Sequence, residues 1–384
     1  VPFLLYLTGI FFLNFLSRIV LAPLMPAIER DLNIGHGEAG SLFLFISLGY
    51  FPGLLGSGYV SSRFTHRWTV ILSSVAVGGS LLAVSLSHTL WWIRSALVLI
   101  GLSSGLYLPS GIASLTDMVN SRDWGKAIAL HELAPILAFI SAPLLAEGLM
   151  IWFSWRGVLA VLGGTAIFTG GAFACFGRGG AFLGETPSPR NLRALVTIPS
   201  FWIMVVLFSM GIGASLGVYT MLPLYLVAEE GLGRGWANTL VALSRIAALG
   251  VIFLAGWATD RLGPRRALGG AFLATGMATM LLGLLHGVRI LPALFLQPVF
   301  SSCFFPAGFA ALSKIGPSQV RNVAVSLTIP VAFLLGGGAI PAGIGILGEH
   351  GLFSLGFTLV GIMLAGCIIL LKYLKFQEDA IQGI

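Results

Sequence analysis

The chain has 384 residues, 57% of them hydrophobic and only 9% charged, with 51 glycines and a mean hydropathy of +0.97. So much apolar surface cannot be hidden in a water-soluble core, which excludes a soluble enzyme or binding domain and predicts a membrane protein. The net charge of +7 comes from basic residues scattered singly between apolar runs, a pattern that fits membrane topology better than nucleic acid as a partner.

A helical span needs about 20 mostly apolar residues. In chain order, runs of that kind fall at 3–28, 39–61, 69–88, 90–114, 124–150, 157–177, 199–226, 236–258, 266–286, 289–313, 323–347 and 351–373. The first run is expected to be a retained span and not a cleaved signal, because others follow it. Twelve spans put both termini on one side. With that side cytoplasmic, fourteen Lys and Arg lie in the inner connections and tail against five at the outer ends, a clear positive-inside bias. All nine tryptophans fall near predicted span ends, where an indole keeps its N–H at the headgroup level. The longest polar connection, at 177–193, divides the chain. The expected domains are a six-helix bundle over 1–177, a cytoplasmic linker over 178–197 and a second bundle over 198–384. The cysteines Cys175, Cys303 and Cys367 lack metal-ligand spacing and read as small core residues. No metal, cofactor or catalytic constellation is expected.

The two halves resemble each other. Pro109-Ser-Gly-Ile-Ala-Ser-Leu115 returns as Pro306-Ala-Gly-Phe-Ala-Ala-Leu312 after 197 residues. Pro143 answers Pro341, and Gly58, Arg63 and Arg67 answer Gly256, Arg261 and Arg265, each after 198. Two six-span repeats in the same orientation follow, related by an axis along the membrane normal.

With these features the chain resembles the major facilitator superfamily along its whole length. The loop Gly256-x-x-x-Asp260-Arg261-x-Gly263-x-Arg265-Arg266 looks like that superfamily's cytoplasmic loop motif. The copy at Gly58, Arg63 and Arg67 has Ser62 in place of the acid and Thr65 in place of the glycine. The resemblance implies an all-α fold of twelve transmembrane helices, a gating role for these loops, and alternating access by rocking of the halves about a site near the midplane. The plainer alternative for the basic residues is positive-inside anchoring. The departures in the first copy imply an asymmetric latch, stronger in the C-terminal half.

Substrate clues must then come from polar groups inside spans. Arg18 and Arg245 lie well within the first and eighth, where insertion costs roughly 2.5–3.5 kcal/mol each. A planar guanidinium suits carboxylate or phosphate oxygens, and anion-carrying branches of the superfamily place such arginines in these spans. At the repeat offset they face Ser215 or Leu216 and Ser47 or Leu48, so neither has a cationic twin. For Arg18 the competing reading is snorkelling to the outer interface. Asn14, one turn before Arg18, is expected to hold its guanidinium or touch substrate, and Tyr219 and Gln297 to line the cavity. Each of these is also a candidate for ordinary helix-packing contact, as are Tyr50 and Tyr107. His131 and Glu132 are embedded in the fifth span; they could carry a coupling proton or form a structural pair. Adjacent on a helix, they point about 100° apart, so at most one faces the cavity squarely.

The expectation is a secondary transporter of a small organic anion, a carboxylate first, with a proton as candidate co-substrate. It would be monomeric, in a bacterial inner membrane, with the lipid bilayer as its other partner. The competing reading is proton-driven efflux of drug-like amphipathic compounds, which predicts tolerance of Arg245→Ala. An enzyme or receptor would need a constellation that the sequence lacks.

Overall fold

The computed structural model describes residues 2–185, 195–315 and 321–376. Residues 186–194 of the expected linker, with Arg190 and Arg193, lie outside them. All regular structure among the described residues is helical. The helices are α1 (Phe3–Leu32), α2 (36–64), α3 (66–86), α4 (Leu90–Asp117), α5 (Ser121–Met150), α6 (Trp155–Phe176), α7 (Pro199–Ala228), α8 (Arg234–Leu262), α9 (Pro264–Leu284), α10 (Gly287–Leu312), α11 (Ala324–Glu349) and α12 (Phe353–Leu371).

Two of these boundaries need a physical reason. The run His36–Leu86 is 51 residues of nearly continuous helix, which would be about 76 Å long against a hydrocarbon layer of about 30 Å. It must be two spans, and it divides at Thr65, whose φ of 69° and ψ of 159° leave the helical region. α8 is one span across a bend of 47°. Among the described residues the count is twelve on that basis.

By internal contacts the chain forms two compact units, Val1–Ile34 with Leu42–Pro187, and Gly35–Ser41 with Ser188–Ile384. The short segment Gly35–Ser41, at the start of α2, groups with the second unit, which the sequence does not foretell. Within the first unit, Leu7, Ile10, Phe11, Val70, Tyr107 and Phe173 form a buried apolar cluster that draws α1, α3, α4 and α6 together.

Lipid offers no hydrophobic drive for helix association, so close backbone packing through small residues carries much of it. Gly49 and Gly53 on α2 meet Gly101 and Gly105 on α4; a Cβ on Gly49 would sit 1.9 Å from the Val98 carbonyl oxygen, and one on Gly101 1.9 Å from that of Ile46. α3 meets α6 at Gly78 and Gly163, where a Cβ on Gly78 would lie 2.5 Å from the Gly163 oxygen. α9 meets α12 in the same way at Gly276 and Gly361, at 2.8 Å. Both glycines of the second pair are 198 residues after those of the first, so the duplication extends to the packing.

Eight of the nine tryptophans are exposed, as a headgroup position requires. Trp155 departs from that expectation. It is buried, because its indole N–H donates to the Asp31 carboxylate at 3.2 Å, which Arg156 also binds.

Candidate functional site

In the second unit the polar groups converge on an irregular turn of α7. Gly213–Gly217 forms a π-helical segment, in which the extra residue per turn loosens the normal carbonyl pairing. Its carbonyls are taken by side chains of neighbouring helices. Gln297 on α10 donates Nε2 to the Ala214 oxygen at 2.8 Å, and Arg245 on α8 donates Nη2 to the Ser215 oxygen at 3.0 Å. The Arg245 Cζ also lies 4.9 Å from the centroid of the Tyr219 ring, on α7 one turn further along. Arg245 is 5% exposed and Gln297 1%. Three residues expected to bind substrate, Arg245, Tyr219 and Gln297, thus share one locus.

A second π-helical segment, Phe333–Ala339 in α11, faces the first. A Cβ on Gly336 would lie 2.2 Å from the Ser209 oxygen, and one on Gly217 2.5 Å from the Gly336 oxygen. The two irregular turns therefore touch backbone to backbone. Periodicity does not reveal such turns; the glycines at Gly213, Gly217 and Gly336 were the available signal.

In the first unit Arg18 is 7% exposed. Its Cζ lies 4.7 Å from the Phe15 centroid and 4.4 Å from that of Tyr50 on α2, and the Tyr50 hydroxyl interacts with it electrostatically. Desolvated cation–π contacts of this kind are worth about 2 kcal/mol, which accounts for a guanidinium inside the bundle. Asn14 does not take the place expected of it beside Arg18. Its Nδ2 donates to the Ser73 hydroxyl at 3.2 Å and to the Ser104 carbonyl at 3.3 Å, because a buried amide between α1, α3 and α4 must be satisfied there. Asn14 ties helices together.

The two arginines occupy related places by different routes. In the first unit the arginine is on α1 and its tyrosine on α2; in the second the tyrosine is on α7 and the arginine on α8. Arg245 donates to the carbonyl of Ser215, which with Leu216 answers Arg18 at the repeat offset. Each unit holds a guanidinium–tyrosine pair, with the two members exchanged between equivalent helices.

His131 and Glu132 sit where α5 is interrupted, and Pro135 explains the break, since it cannot donate to the His131 carbonyl. The pair separates as helix geometry demands: the His131 side chain is 0% exposed and that of Glu132 49%. The imidazole stacks on Phe11 with centroids 4.3 Å apart, and its Nε2 lies 3.1 Å from the Tyr107 hydroxyl. That hydroxyl donates to the Leu7 carbonyl at 2.8 Å. On the other side of the ring, Nδ1 is 3.4 Å from Glu132 Oε1. Tyr50 and Tyr107, which looked like packing residues, stand next to Arg18 and His131.

The loop residues expected to gate show ties within each unit. Gly263 has φ 80° and ψ 154°, and Thr65, its counterpart 198 residues earlier, has nearly the same backbone. The Arg67 guanidinium donates to the Ala174 carbonyl at 3.0 Å, at the end of α6. Its counterpart Arg265 donates to the Leu374 carbonyl just beyond α12. Carbonyl ends of helices favour such cations. Arg63 and Arg261 lie over Tyr59 and Trp257. Gly256 is in open surroundings, and Asp260 and Arg266 are exposed.

Comparison with known proteins agrees with this architecture. A family profile described as the Major Facilitator Superfamily matches residues 7–288. The chain is 24% identical over 366 residues to the multidrug resistance protein MdtL of Escherichia fergusonii, covering 92% of this chain and 89% of that one. The MdtL proteins of several Escherichia coli strains match equally. Among solved structures, a bacterial homologue of the human lysosomal transporter Spinster, inward-facing and occupied, superposes with a TM-score of 0.80 at 15% identity, over 97% of this chain and 96% of that one. A D-xylose–proton symporter gives 0.78 at 15% identity, over 98% of both chains.

Proposed function

Since the chain belongs to the Major Facilitator Superfamily, we propose that it is a secondary transporter of a small organic anion, a carboxylate in the first place, with both termini cytoplasmic in a bacterial inner membrane. The observation that carries this reading is the pair of buried guanidinium groups, one per unit, each packed on a tyrosine. Intramembrane arginines are costly and mark substrate pathways more often than scaffold. The exchange of Arg and Tyr between equivalent helices argues that each cation was acquired separately, which duplication alone does not explain. The ring under each guanidinium fixes its plane, and a planar guanidinium matches the geometry of carboxylate oxygens. Tyr219 and Gln297 support Arg245 in this role, Gln297 by holding the π turn that also anchors the arginine.

A second reading has its own support. The MdtL relatives are multidrug resistance proteins, and an aromatic-rich interior with Glu132 would suit efflux of amphipathic compounds. The readings separate in a thermal-shift series on the purified chain with acetate, oxalate, benzoate, inorganic phosphate and tetraphenylphosphonium. The anion reading predicts stabilisation by at least one of the anions, lost in Arg245→Ala. Stabilisation by tetraphenylphosphonium alone, or anion stabilisation unchanged by the substitution, refutes it.

A further inference from the structure

We propose that His131 and Glu132 share an exchangeable proton between Nδ1 and Oε1 and that Tyr107 fixes its position. This proton site does not depend on the anion reading. The count of donors leads there. Tyr107 has a single hydroxyl hydrogen, and two groups lie within reach of its oxygen: the Leu7 carbonyl at 2.8 Å, which can only accept, and His131 Nε2 at 3.1 Å. Both contacts are hydrogen bonds only if the hydroxyl donates to Leu7 and Nε2–H donates to the hydroxyl oxygen. The hydrogen of a neutral imidazole is then on Nε2, and Nδ1 presents a lone pair. That lone pair lies 3.4 Å from a carboxylate oxygen, an acceptor facing an acceptor. The contact becomes attractive when a proton is added between them, forming an N–H bond on Nδ1 that donates to Oε1.

The surroundings give that proton a route. His131 is closed off by Phe11 and Tyr107, so water reaches the pair from the half-exposed Glu132 side, and the proton arrives and leaves there without any redox change. The titratable groups facing the pair from other helices are Tyr107 on α4 and Tyr50 on α2, whose hydroxyl lies in the fields of both Glu132 and Arg18 of α1.

The test is nitrogen NMR on the full chain labelled with ¹⁵N-histidine in liposomes, with His131 identified by the signal lost in His131→Gln. The neutral wild type should carry hydrogen on Nε2 alone, and acidification should add it on Nδ1. At the pH where half of the wild-type chains carry that second proton, Glu132→Gln should carry it on a several-fold smaller fraction, as loss of a neighbouring anion requires. Tyr107→Phe should leave the neutral ring with hydrogen on either nitrogen. Hydrogen on Nδ1 in the neutral wild type, or equal occupancy in Glu132→Gln, overturns the proposal. No transported solute is involved, so failure here is separate from failure of the anion reading, and Glu132→Gln, at a half-exposed position, decides the question even where Tyr107→Phe does not fold.

Discussion

Replacing Thr65 by glycine should stabilise the protein, although it removes a side chain and a hydrogen bond. Thr65 holds φ 69° and ψ 159°, a region populated almost only by glycine that costs a β-branched residue about 1–3 kcal/mol. Two effects oppose the gain. The glycine frees the unfolded chain at a cost of about 0.5–1 kcal/mol. The substitution also removes the Thr65 hydroxyl that accepts from the Trp68 N–H, a long contact of 3.5 Å worth a few tenths of a kcal/mol where glycine replaces a capping residue. The balance is about 1 kcal/mol in favour of Thr65→Gly, or roughly 2 °C in the unfolding midpoint of a chain this long. Thr65→Ala keeps the strain and loses the cap, and so should fall below wild type. The assay is thermal unfolding of the purified chain in detergent, with the three proteins side by side. A Thr65→Gly midpoint at or below that of Thr65→Ala would refute the strain argument.

Other substitutions probe the remaining features. Gly263→Ala places a side chain at φ 80° and should cost about 1–3 kcal/mol in the same assay. In Gly101→Ala a Cβ would fall 1.9 Å from the Ile46 oxygen, so α2 and α4 must part, at about 1–3 kcal/mol; size-exclusion profile and midpoint should both deteriorate. Gln297→Leu leaves the Ala214 carbonyl of the π turn without its 2.8 Å donor, a loss of about 1–2 kcal/mol, and should also weaken anion stabilisation, since the same turn anchors Arg245. Arg245→Lys keeps the charge but not the planar fork, so anion stabilisation measured by thermal shift should drop well below wild type while the fold persists.

Span number and order were legible because length and apolarity are what a bilayer selects for. The break between the second and third spans was legible from the span boundaries at 61 and 69, but its physical content, a threonine holding a glycine conformation at position 65, required the backbone. Arg18 and Arg245 stood out because charge inside a span is rare. Tyr219, beneath Arg245, was among the expected residues, but Tyr50, beneath Arg18, was not: tyrosine is a common type in membrane interiors, and only geometry separates one beneath a guanidinium from one that merely packs. The spacing of Asn14 at i to i+4 from Arg18 does not reveal the pull of Ser73 and Ser104 from other helices. For His131 and Glu132, adjacency predicted divergent directions, but the donor order through Tyr107 to Leu7 joins residues 100 or more positions apart from α5 to α1, and no local pattern encodes it.

The π turn at Gly213–Gly217 also sets a register. One surplus residue in a helix turns everything beyond it by about 100° about the axis, so the two ends of α7 follow different phases of the same sequence. Removing one residue there, Ala214 for example, would leave a helix still long enough to cross the bilayer. The composition would hardly change, yet Tyr219 would rotate away from the Arg245 guanidinium it now supports. Insertions and deletions in this stretch should therefore behave as phase errors, harmless to membrane insertion and damaging to the arginine's setting.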